Sequence, residues 1–171
     1  MKHSKVFVAA AMLLVLASAA FCADVPAIQK MLPAKDSVKG FAVLPGSLQY
    51  GKGDKLTVIY NGGYELYTNN GVIDAVRQMY NRDSDYVEVT LHTMASPKAA
   101  LAFLKYWQKE NKVKALTKSG KATSFTITKP NVMSYFVVGK YFATVGAFYA
   151  EKKAKPDVKA FAAVIAKSFA K

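Results

Sequence analysis

Val132-Met133-Ser134-Tyr135-Phe136-Val137-Val138-Gly139-Lys140-Tyr141-Phe142-Ala143-Thr144-Val145 is the stretch on which the fold turns. Two runs rich in β-branched and aromatic residues flank a Gly-Lys break, and glycine in the first loop position is what a two-residue type II′ hairpin turn requires. The chain therefore reads as antiparallel strands over 132–138 and 141–149. Upstream, residues 123–128 read as a third strand, entered after Gly120. Before it, Ser96-Pro97 starts a helix that runs to about residue 111, with Ser as the cap and Pro in the first turn.

Further upstream, Ile73, Ala75, Arg77 and Met79 alternate with Asp74, Val76, Gln78 and Tyr80. Val87, Val89 and Leu91 likewise alternate with Glu88, Thr90 and His92, and the polar turn 81–85 joins the two runs into a second hairpin. Downstream, Pro156-Asp157 opens a final helix whose Val158, Phe161, Ala162, Ile165 and Phe169 share one stripe. Over 54–70, the spacing of Leu56, Ile59, Tyr60, Leu66 and Tyr67 favours a helix capped by Asp54, against a competing hairpin turning at Asn61-Gly62. The expected fold is α+β: an antiparallel sheet of about five strands, in the order α-β-β-α-β-β-β-α, covered by helices on one face. Residues 54–171 form this single domain. Residues 24–53, broken by Pro26, Pro33, Pro45, Gly40, Gly46 and Gly51, precede it as an extended segment with at most a short helical turn.

Residues 1–23 read as a secretory signal peptide: Lys2 and Lys5, an apolar run from Val6 to Leu16, then small residues. The apolar run is too short to span a bilayer, so the mature chain is expected to be exported, periplasmic or extracellular, without a transmembrane span. Cys22 invites a lipid anchor, but Phe21 stands where a lipobox needs a small residue, which argues against it.

The 171 residues carry 24 Lys plus Arg against 11 Asp plus Glu, a net charge of +13, and removing residues 1–23 takes Lys2 and Lys5 away to leave +11. Residues 24–95 sum to −1 and residues 96–171 to +12. At 100° per residue Lys98, Lys105, Lys109 and Lys112 fall along one side of the Ser96 helix, opposite Ala100, Phe103, Leu104 and Trp107. Such a ridge attracts an anionic envelope component or an acidic protein. The only arginines, Arg77 and Arg82, lie outside the basic half, which argues against nucleic acid.

One cysteine and two histidines offer no material for a disulfide framework or a metal centre, and no cofactor is implied. Asn81, Asp83 and Asp85 have the opening rhythm of a calcium loop, but Tyr86 and His92 stand where it needs Gly and Glu, so a polar turn explains them. Gly51-Lys52-Gly53 is too short for a phosphate loop. His92 reads as a sheet-face histidine, and no spacing singles out a catalytic pair among Glu65, Asp74 and Glu88.

Tyr60-Asn61-Gly62-Gly63-Tyr64-Glu65-Leu66-Tyr67, with Gly71, resembles the Y-I-N-G-G-A-E-L-Y signature of an exported bacterial family, domain of unknown function 6599. Met94-Ala95-Ser96-Pro97-Lys98-Ala99-Ala100 resembles its M-x-S-P-x-x-A segment, and Gly139-Lys140-Tyr141-Phe142 its G-x-Y-Y strand. The missing Ile after Tyr60, Tyr64 in place of Ala, and Ala100-Leu101 in place of an aromatic mark a divergent branch. The resemblance implies an exported α+β domain with a helical N-G-G-x-E-L-Y segment, and no reaction or cofactor. It draws attention to Asn61, Gly62, Gly63, Glu65 and Tyr67 as ligand-binding residues. The resulting expectation is a non-catalytic binding module with a lysine-rich surface and no catalytic residues assigned. The competing expectation is a small hydrolase or transferase using a pocket around Asn61 and Glu65, and the oligomeric state stays open.

Overall fold

The computed structural model describes residues 25–170, so the segment read as a signal peptide and Cys22 lie outside the described residues. Its strands are β1 (Ala42–Val43), β2 (Gln49–Lys52), β3 (Val72–Arg82), β4 (Asp85–Met94), β5 (Thr117–Ser119), β6 (Ala122–Ile127), β7 (Val132–Val138) and β8 (Tyr141–Ala147). Its α-helices are α1 (Thr57–Tyr60), α2 (Tyr64–Asn69), α3 (Pro97–Glu110) and α4 (Glu151–Phe169). Short 3₁₀ turns cover Ala27–Met31 and Gly53–Leu56.

The α+β class and the antiparallel sheet are as expected, but the strand count is not: eight strands form one sheet, in the order β1-β3-β4-β8-β7-β6-β5, with β2 also pairing β3. In chain order the elements run β-β-α-α-β-β-α-β-β-β-β-α. The additional strands are short edge pieces. β1 has two residues and β5 three, all exposed, while β2 contains Gly51, so none carries the alternation by which a strand is recognised. At the hairpin tip between β7 and β8, Gly139 has φ 56° while Lys140 stays out of the left-handed region, as a type II′ turn requires.

Both faces of the sheet are covered, not one. On one face, the α4 row Ala154, Val158, Phe161, Ile165 and Phe169 packs with Ile28, Phe41, Val76, Val89, Phe136 and Val145. On the other, Ala100, Phe103 and Leu104 of α3 and Leu56 and Ile59 pack with Ala75, Met94, Val137 and Phe142. The alternation of β4 explains how one strand serves both layers: Val87, Val89 and Leu91 face α4, so Glu88, Thr90 and His92 must face α3. α4 starts at Glu151, ahead of the expected Pro156-Asp157, so Pro156 lies inside the helix and, lacking an N–H, cannot donate to the Lys152 carbonyl one turn before it.

The 54–70 segment is helical in pieces. At Asn61 (φ 34°) and Gly62 (φ 98°) the backbone enters the left-handed region, which ends α1 and lets α2 fold back beside it. Glycine has no Cβ to oppose that geometry and asparagine tolerates it better than other residues.

Candidate functional site

Strand register builds the floor of a cavity beneath α3. Arg77 pairs Thr90, Thr90 pairs Thr144 and Thr144 pairs Tyr135, so four side chains from β3, β4, β8 and β7 form one polar row across the sheet. The adjacent rows hold Glu88 opposite Gly146, and His92 between Ala75 and Phe142. Gly146 contributes no side chain beside Glu88, and Met133 and Phe148 close on that place instead. Ile59, Tyr60, Tyr67 and Trp107 cover the floor from α1, α2 and α3, enclosing about 180 Å³. The reversal at Asn61-Gly62 makes this cover, because it stacks the Tyr60 and Tyr67 rings 3.5 Å apart and brings the Tyr67 ring parallel to His92 at 5.8 Å.

The protonation states follow from burial. His92 is 1% exposed, and its Nδ1 lies 3.1 Å from the Phe142 carbonyl oxygen, which can only accept. Nδ1 therefore carries the proton, and Nε2 accepts from the Tyr60 hydroxyl. Burial lowers the His92 pKa to about 4, so the ring is neutral at neutral pH. Burial also raises the hydroxyl pKa of Tyr60 well above its ordinary value, pushes Tyr67 up to about 12 and raises Tyr135. These phenols stay protonated and act as hydrogen-bonding groups.

Arg77 is held from below by β2: its Nε donates to Gln49 Oε1 at 2.8 Å, and a second guanidinium N–H reaches the same oxygen. Its remaining nitrogen lies 3.8 Å from Glu88 Oε2, so the one cation and the one carboxylate lining the cavity offset each other. The indole N–H of Trp107 is buried and has no acceptor among the described residues. A buried donor without a partner is costly, which makes this group conspicuous in a cavity wall.

Of the five residues singled out in the N-G-G-x-E-L-Y segment, Tyr67 lines the cavity, whereas Asn61, Gly62, Gly63 and Glu65 are exposed and outside its lining. Lys98, Lys105 and Lys109 lie on α3, whereas Lys112, expected on the same helix, follows its end at Asn111 with φ 54°; all four are exposed, Ala100, Phe103 and Leu104 are on the buried side of α3, and none of the four forms an ion pair among the described residues. The helix starts as read, Ser96 Oγ accepting from the Ala99 N–H at 3.1 Å. Arg77, Glu88, Thr90, Trp107 and Tyr135 escaped the sequence reading as a group. The signal was present in the run Glu88-x-Thr90-x-His92, three polar residues at alternate positions of one strand, which marks a polar floor once both faces are covered.

No family model matches the chain, and no curated protein matches it. Its fold is similar to the extracellular domain of PknH from Mycobacterium tuberculosis. That match has a TM-score of 0.56 over 84% of this chain and 94% of the other, at 10% identity, a likeness of fold alone. Among the described residues no helix is long and apolar enough to cross a membrane, and no group of three or more His, Cys, Asp or Glu is placed to hold a metal ion.

Proposed function

We propose that this protein is an exported, non-catalytic binding module that holds one small, uncharged, hydroxyl-rich molecule of about monosaccharide size in the cavity under α3. The observation that carries the reading is the convergence of Arg77, Glu88, Thr90, Thr144, Trp107 and Tyr135 on a space of about 180 Å³. That volume is below the roughly 300–1,000 Å³ of sites for drug-sized ligands. Because Arg77 and Glu88 offset each other, a ligand with net charge would bring an unpaired charge into the cavity. Hydroxyl groups both donate and accept, which suits threonines, protonated tyrosines and an indole N–H in need of an acceptor. His92 is an unsuitable base, since both ring nitrogens are engaged. Export draws support from the signal-like residues 1–23 and from a structural neighbour that is an extracellular domain. The resemblance to the exported 6599 family, as a divergent member, belongs to the same reading.

Trp107 is the single tryptophan of the chain, so its emission reports on the cavity directly. Titration with neutral pyranoses and small polyols is expected to shift that emission saturably, and Thr144→Val and Glu88→Gln to weaken the response. A saturable response to small carboxylates with none to neutral hydroxylated compounds would overturn the reading.

A second reading rests on a separate observation, the exposed and unpaired Lys98, Lys105, Lys109 and Lys112. It has the outer side of α3 dock an anionic envelope component or an acidic protein. Binding to an acidic polymer should then weaken steeply as salt rises from about 0.1 M to 1 M, where the screening length falls from about 10 Å to 3 Å. Salt-independent binding contradicts it.

A further inference from the structure

α4 packs on β7 and β8 and leaves the β6–β5 side of the sheet overhanging. The helix positions that turn toward this overhang are Ala162, Ala163 and Ala166, too small to close the gap, and a trough of about 570 Å³ remains between helix and sheet. Its floor is Ala122, Ser124, Thr126, Ser134 and Phe136, on the face that carries the α4 core. Thr126 Oγ1 and Ser134 Oγ lie 3.4 Å apart and bond to each other, so these hydroxyls are engaged within the floor. Ser119, Ser124 and Thr128 add further hydroxyls to the lining, but most of its surface is methyl, methylene and ring carbon, and its volume lies in the ordinary range for a ligand site.

Its rim is cationic. Lys155 and Lys159 line one end, and a connected recess of about 200 Å³, sharing Ala122 and Ala166, carries Lys121 and Lys167 at the other. Lys155 and Lys167 are twelve residues apart, about 18 Å along the helix. Of the acids nearby, Asp157 is taken by Arg82 and Tyr149, and Glu151 neutralises Lys155 but no other rim lysine. Lys121, Lys159 and Lys167 form no ion pair among the described residues.

We infer that the trough binds a free, single-chain anionic amphiphile, a long-chain fatty carboxylate. The hydrocarbon chain lies against Ala162, Ala163 and Ala166, and the carboxylate sits at Lys159, the unpaired cation of that end. An elongated apolar recess rimmed by unpaired cations matches that chemistry at both ends, whereas a small hydrophilic anion would leave the alanine wall unused. The site is on the opposite face of the sheet from the Trp107 cavity and stands or falls independently of it.

The test is isothermal titration with octanoate, decanoate, dodecanoate and tetradecanoate below their micellar concentrations, with the alcohol of each chain length beside it. Affinity is expected to rise about fourfold per added methylene until the trough is full, the increment for burying one such group. The alcohols should bind more weakly. Two changes on the trough side of α4 keep the helix: the Ala162→Leu/Ala166→Leu double variant uses a good helix former to fill the trough, and Lys159→Glu reverses one rim charge. The filled variant should lose at least tenfold in affinity for dodecanoate. Lys159→Glu should weaken dodecanoate while sparing dodecanol, and Trp107 emission should not change with any of them. Unchanged binding by the filled variant, or carboxylate binding without dependence on chain length, overturns the inference, the latter by showing surface ion pairing only.

Discussion

The Tyr60 hydroxyl donates to His92 Nε2 across the junction between the broken 54–70 helix and the centre of the sheet. Because His92 gives its Nδ1 proton to the Phe142 carbonyl, this one contact fixes the tautomer, the ring orientation and the position of the cavity cover together. It also couples folding to pH. An unfolded histidine titrates near 6.5, whereas the folded His92 titrates at about 4 because burial penalises the charged ring. Above pH 6.5 the ring is neutral in both states and its contribution is fully present. As pH falls below 6.5 the unfolded chain takes up a proton that the folded protein refuses, and stability drops until about pH 4, where the loss levels off. The depth is about 3 kcal/mol. Urea unfolding of the wild type and of His92→Gln across this range should show the stability gap between them narrowing toward low pH; parallel curves would refute it.

Removing only the hydroxyl isolates the contact. Tyr60→Phe keeps the stacking on Tyr67 and leaves the buried Nε2 without a donor, which should cost about 1–3 kcal/mol. Since both residues serve one hydrogen bond, the Tyr60→Phe/His92→Phe double variant should lose less than the sum of the two single losses. Strict additivity in denaturant melts would mean that the bond contributes nothing to stability.

The same pair shows what was legible in the sequence. The β7–β8 hairpin could be read because its two-residue loop and β-branched flanks act locally, and the β3–β4 hairpin because its alternation is long. The cover could not, because what places Tyr60 and Tyr67 over His92 is a left-handed reversal at Asn61-Gly62, and local propensity there suited a helix and a hairpin alike. Glu88, Thr90 and His92 looked like an outer face for as long as the sheet was expected to be covered on one side. Their role became visible only with the second layer, beneath which β2 brings Gln49 to Arg77. Short edge strands such as β2 are fixed by pairing with β3, a tertiary contact that carries almost no pattern of its own.

Gly51 tests how tightly that edge is built. It sits in β2 opposite Ala75, and a Cβ there would overlap the Lys55 carbonyl oxygen and come within 2.8 Å of the Leu56 Cα. Both obstacles are backbone, which cannot swing aside as a long side chain would. Gly51→Ala is therefore expected to destabilise by about 3 kcal/mol through overpacking, although alanine is otherwise the mildest replacement. A thermal melt within a degree of the wild type would show that the 3₁₀ turn after β2 yields more easily than its contacts imply.

Arg82 ties the N-terminal segment, the β3–β4 turn and α4 into one body. Its guanidinium donates to both oxygens of Asp157 in α4, at 3.0 and 2.5 Å, and to Asp85 at 3.3 Å across the turn. Its carbon centre lies 4.4 Å from the centroid of the Phe41 ring, which packs edge-on against Phe161 of α4 at 5.1 Å. Asp157 also accepts from the Tyr149 hydroxyl at 2.7 Å. Ion pairs at surfaces are usually weak, but this one is two-pronged, half-shielded and stacked on an aromatic ring, the arrangement in which arginine differs most from lysine. Arg82→Ala should cost about 2 kcal/mol, the lower part of the range for hydrogen bonds to charged groups. Arg82→Lys, which keeps the charge and loses the fork and the plane, should recover less than half of that loss in denaturant unfolding. Full recovery by lysine would show that charge alone holds α4 to the turn and that the geometry adds nothing.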